Sequence, residues 1–68
     1  MKITHHEKSD LLYISFDENP PQVVNRRVDD DIVLDLAEGE RIVGIEILDA
    51  SKRLRLEQVL PVEYQKTA

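Results

Sequence analysis

The clearest alternation of apolar and polar positions lies between Asp31 and Ser51, DIVLDLAEGERIVGIEILDAS. Ile32, Leu34 and Leu36 alternate with Asp31, Val33 and Asp35, so one side of an extended chain is apolar while two of the three opposing positions are acidic. A period of two is the mark of a half-buried strand. Val43, Ile45 and Ile47 repeat it on the next segment, opposite Ile42, Gly44, Glu46 and Leu48, and this second strand reads as the less exposed of the pair. Between them Ala37-Glu38-Gly39-Glu40-Arg41 is polar and contains a glycine, which takes up the positive φ of a short loop at almost no steric cost. The two segments predict a hairpin with Leu34 and Ile45 meeting inside and Asp35 and Glu46 outside. A slip of one residue would turn Ile32, Leu34 and Leu36 to water, so the register is firmly specified.

Three more segments carry strand patterns. Met1 to His6 is short and mixed and predicts an edge strand. After the polar turn Glu7-Lys8-Ser9-Asp10, Leu11 to Phe16 sets Leu12, Ile14 and Phe16 on one face and Leu11, Tyr13 and Ser15 on the other, apolar enough to be covered in part on both. Asp17-Glu18-Asn19-Pro20-Pro21-Gln22 cannot continue a strand, because two prolines remove two amide donors and fix two φ angles. Val23 to Val28 is weaker, and Arg26 and Arg27 point to an edge position or to salt-bridged exposure. Asp29-Asp30-Asp31 then makes an acidic turn.

Beyond Leu48 the period changes. Asp49 or Ser51 can cap a helix, Leu56, Val59 and Leu60 fall on one helical face, and Pro61 ends that helix at or before Leu60. The expectation is one α+β domain over 1–68. An antiparallel β-meander of four to five strands occupies 1–48, a short C-terminal helix at 49–60 packs on or beside the sheet, and 61–68 forms a frayed tail. Short connections favour the meander over a crossover.

Length changes this picture, because 68 residues bury only about 60% of the surface of the unfolded chain. No cysteine is present to staple the fold or hold zinc. Self-association is then the cheapest way to bury more apolar surface, and a homodimer is expected. The net charge of −5 argues against nucleic acid and favours a basic protein where a partner is needed. The longest apolar run, Leu11 to Ile14, is far too short to cross a membrane. The N-terminus enters a strand-like pattern directly, without the apolar segment of a secretory signal, and a cytoplasmic protein is expected.

Candidate chemistry is sparse. His5 and His6 stand beside Asp10, but neighbours on a strand point to opposite faces, which leaves His6 with Asp10 as the geometric pair, short of a zinc site. Asp29, Asp30, Asp31, Asp35, Glu46 and Asp49 supply carboxylates for acid–base chemistry or a hard cation, with Asp31 and Asp35 on one face and Glu46 opposite Asp35. Acidic residues in turns and on outer strand faces need no function. Glu46 interrupts the most apolar strand, and a salt bridge to Arg26 or Arg27 accounts for it. For Asp10 a turn role, bonding nearby amides, is the leading account. There is no glycine-rich phosphate loop, and Ser9, Ser15 and Ser51 lie in no activating context. No catalytic, cofactor-binding or metal-binding residue is assigned, and no cofactor is expected.

Met1-Lys2-Ile3, Asp10-Leu11-Leu12-Tyr13-Ile14, Asp35-Leu36 and above all Val43 to Ser51, VGIEILDAS, resemble the small prokaryotic domain of unknown function family 2283. The usual family pattern has an aromatic residue at the position of His5 and an aspartate at that of His6. The resemblance implies a compact, strand-rich, stand-alone cytoplasmic protein and carries no established activity, cofactor or catalytic residue. Members sometimes look like companions of small toxin-like proteins, which implies an antitoxin-like role as an alternative. The leading expectation is a non-enzymatic interaction module, with a regulatory partner of a small basic protein and a small metal-dependent enzyme or binding protein behind it.

Overall fold

A computed structural model describes residues 1–20, 22–59 and 61–67. Five antiparallel strands form one open sheet: β1 (Lys2–His6), β2 (Leu11–Ser15), β3 (Val24–Asp29), β4 (Ile32–Ala37) and β5 (Arg41–Ile47), in the order β1-β2-β5-β4-β3. One helical turn, α1 (Ala50–Arg53), and a 3₁₀ turn at Leu56–Gln58 complete the α+β architecture.

The alternation that predicted the central hairpin is seen directly. Ile32 pairs with Ile47 and Leu34 with Ile45, and the chain reverses through a 3₁₀ turn at Glu38–Glu40, where Gly39 takes φ +77°. The register shifts between Asp35 and Leu36, so that Leu36 lies across from Ile42. Sequential strands pair at β1–β2, β3–β4 and β4–β5. Strand β2, however, pairs with β5, setting Ile14 against Ile45. The chain from Ser15 to Val24 therefore passes along one end of the sheet to its far edge. The apolar, two-sided pattern of β2 is satisfied by this interior position, whereas β3, with Asn25, Arg26 and Arg27, is exposed at every residue.

One face of the sheet carries Ile3, Leu12, Ile14, Ile32, Leu34, Leu36, Val43, Ile45 and Ile47, as alternation requires. Its cover is thin. Leu56 and Val59 lie over Ile3, His5 and Leu12, with a cleft of about 210 Å³ between them. Among the described residues the buried apolar side chains are Leu12, Leu36, Val43 and Ala50.

The helix expected over 49–60 is broken. It ends at Arg53, where Leu54 turns extended (φ −132°, ψ 151°) while its amide closes on the Ala50 carbonyl. Leu54 and Leu56 are half-buried and flank exposed Arg55. A helix would set positions i and i+2 about 200° apart, and extended backbone puts both leucines on one side. Leu60 lies outside the described residues, so its expected place on a helical face does too.

Candidate functional site

The outer face of the sheet holds a polar cluster built across three strands. Asp35 on β4, buried at 8% exposure, accepts hydrogen bonds from the Tyr13 hydroxyl on β2 at 2.6 Å and from Asn25 Nδ2 on β3 at 2.5 Å. Strand β5 runs between β2 and β4, and the residue facing both is Gly44, opposite Ser15 on one side and Asp35 on the other. A β-carbon on Gly44 would clash with the Tyr13 phenol oxygen and lie 2.8 Å from Cζ and 3.2 Å from Asp35 Oδ2. The glycine is therefore required by close approach: its missing side chain is the space through which the phenol reaches the carboxylate.

Asp35 and Glu46 were expected to face each other, and they do not. Glu46 lies across from Val33 and Tyr13, because Gly44 occupies the position opposite Asp35. Nor does an arginine meet Glu46 in an ion pair among the described residues: Arg26 is engaged by Glu40 at 2.8 Å, and Arg27 donates to the Asp30 carbonyl. Asp31 precedes β4 in a turn and meets Arg53 at 3.2 Å, a guanidinium that also holds Asp29. The sequence reading missed Tyr13 and Asn25. A glycine inside the most apolar strand was the available signal, since it marks where another group comes close.

The carboxylate of Asp35 acts on Tyr13 first through the hydrogen bond, then burial and the charges of Asp35 and Glu46 add to it, and the phenol pKa is pushed up to about 12. Protonated tyrosine is thus favoured in the folded chain. Its contribution to stability is complete below the ordinary value of 10.0 and is lost as pH rises through about 12. In a Tyr64→Phe variant, where Tyr13 is the only phenol, tyrosinate absorbance should titrate near pH 12, and adding Asp35→Asn should bring the midpoint down. An unmoved midpoint would refute the assignment of the shift to Asp35. Chemically the pair is a clip: the phenol is held as a donor and the carboxylate is occupied by two partners. Beside it an open concavity of about 380 Å³ is lined by Lys2, Thr4, Tyr13, Ser15 and Glu18.

A second cluster joins the first hairpin to α1. Asp10 adopts φ +53°, which turns its carboxylate toward residues 41 positions away in the chain. The carboxylate accepts from the Ser51 amide at 3.1 and 3.2 Å and from the Ser51 hydroxyl at 2.6 Å, while the Asp10 carbonyl accepts from the Ala50 amide at 2.9 Å. Asp49, in left-handed backbone, makes no side-chain cap, so Asp10 supplies from a distance what a local capping residue normally supplies. The histidine that meets Asp10 is His5, with Nε2 at 2.9 Å, and not His6. Asp10 closes the turn that begins at Glu7, its amide donating to the Glu7 carbonyl at 3.3 Å, and its carboxylate meets the side of β1 that carries His5. No group of three or more His, Cys, Asp or Glu residues placed to hold a metal occurs among the described residues.

The Ser51 hydroxyl foremost, and then His5, hold the Asp10 carboxyl below the usual aspartate range. The ionised form is the one the fold prefers, so its contribution is present above the ordinary value of 3.8 and is lost as pH falls through the lowered one. Asp10→Asn should reduce the melting temperature at neutral pH, and the difference from the parent should shrink on acidification. A difference independent of pH would show that charge at this corner does not matter.

A family model described as "Protein of unknown function (DUF2283)" matches residues 2–51. No curated protein matches the chain, and no solved structure matches it. The matched span includes Asp10, Tyr13, Asn25, Asp35, Gly44 and Ser51, so both clusters lie within it.

Proposed function

We propose that this chain, which belongs to the DUF2283 family, is a non-enzymatic interaction module that works as a pair of identical copies. One observation carries the reading: the folded chain exposes more surface than its size calls for. A monomer of 7.9 kDa is expected to expose about 4,400 Å², and this one exposes 5567 Å². Its radius of gyration is 12.9 Å, against about 11 Å for a compact chain of this length. The exposed tail at 61–67 and strand β3, exposed at every residue, both contribute to the excess. The non-enzymatic part is supported by the polar cluster, where each functional group of Tyr13 and Asp35 is already engaged.

Light scattering on the purified protein should return twice the chain mass at micromolar concentration, and the melting temperature should rise with concentration. A monomer mass throughout that range, with concentration-independent melting, would remove the reading. The net charge of −5 supports a second one, an antitoxin-like hold on a small basic protein. Salt separates them, since it weakens a charge-driven contact and leaves an apolar one intact.

A further inference from the structure

Resting on the self-association proposed above, we infer that the second copy covers the apolar face of the sheet over β3, β4 and β5, with the two sheets stacked face to face. Among the described residues, Leu56 and Val59 at the second 3₁₀ turn shield that face near β1 and β2, and over β4 and β5 Leu36 and Val43 are buried while their neighbours are less so. Toward the other edge the face runs on through Ile14, Ile45 and Leu34, all half-buried, to Arg26 and Val24, the latter 65% exposed. Arg26 aside, this strip is apolar, as the centre of a protein interface is.

Charge decides the occupant. Apart from the bulged end of β3 at Asp29, which Arg53 engages, the strand positions on this face carry no carboxylate. A basic partner finds nothing there to hold. Arg26 does point this way, but Glu40 at 2.8 Å neutralises it. A second copy offers the same strip, apolar apart from the Arg26–Glu40 pair, and satisfies a two-fold axis, which requires a self-complementary patch. Joining two copies edge to edge along β3 is disfavoured instead, because a two-fold axis centred on Arg26 or Arg27 sets like charges opposite one another.

Two variants test the face. Val24→Lys changes a residue already mostly in water, so the fold survives, but a stacked pair would have to bury the ammonium. The dimer dissociation constant should rise roughly a hundredfold, with an unchanged circular dichroism spectrum and an unchanged constant for the control Tyr64→Lys in the exposed tail. Val24→Cys introduces the only thiol of the chain; it should react with a maleimide freely at concentrations where the chain is monomeric and be protected where it is dimeric. A dimer that Val24→Lys leaves intact, with the thiol equally reactive at both concentrations, overturns the stacked face while self-association stands. A wild-type chain that is monomeric throughout overturns both.

Discussion

Replacing Gly44 by alanine should destabilise the fold by about 1–3 kcal/mol, the usual cost of forcing extra atoms into a filled space. The new methyl group would clash with the Tyr13 phenol oxygen and ring carbon Cζ. The ring is not a free end that swings aside cheaply, because its hydroxyl is bonded to Asp35, and displacing it leaves a buried carboxylate with one donor fewer. The cycle with Tyr13→Ala identifies the cause. With the ring removed, Gly44→Ala should cost well under 1 kcal/mol, since β-carbons are normal in the middle of strands and glycine is a poor strand former. Urea denaturation of the four proteins at one fixed concentration measures the coupling. Equal costs in both backgrounds would mean that the phenol does not pass over Gly44.

Leu12→Ala should cost more, about 2–5 kcal/mol. Leu12 retains 2% of its exposure and sits between His5 on β1 and Ile47 on β5 in the ladder, beneath Leu56 and Val59. With so few buried apolar side chains, the neighbours cannot close over the gap, and the cleft of about 210 Å³ already beside it would widen. Ile3→Ala on the adjoining edge strand should cost less, since Ile3 is only half-buried and faces water on its open side. For a chain of this length a loss of that size approaches the whole stability, so Leu12→Ala is expected to be largely unfolded at 37 °C. A melting curve close to that of the parent would show that the C-terminal segment and Leu12 do not form the core.

The central hairpin was legible because its information is local: alternation from Ile32 to Leu36 and from Val43 to Ile47 states which side faces inward, and Leu34 does meet Ile45. The edge positions of β1 and β3 were legible from their mixed or charged composition. What escaped was decided by residues far apart in sequence. Nothing near Leu12 announces that β2 will pair with β5, and without that pairing Tyr13 cannot be placed over Gly44. The histidine assignment failed for a related reason, since the left-handed turn at Asp10 determines which side of β1 its carboxylate returns to. The helix is shorter than the 49–60 that the spacing of Leu56, Val59 and Leu60 predicts, because Leu54 turns extended and is half-buried together with Leu56, two positions on.

The sheet is assembled from two pieces that are each local in the chain, the β1–β2 hairpin and the β3–β4–β5 meander, sewn together along β2 and β5. Roughly thirty residues separate Ile14 from its mate Ile45, and their union must overcome the loop-closure entropy before it is rewarded by contact. The seam is therefore expected to close last, and until it does both the edge of β2 and the edge of β5 are open templates on which a newly made chain can be captured by its neighbours.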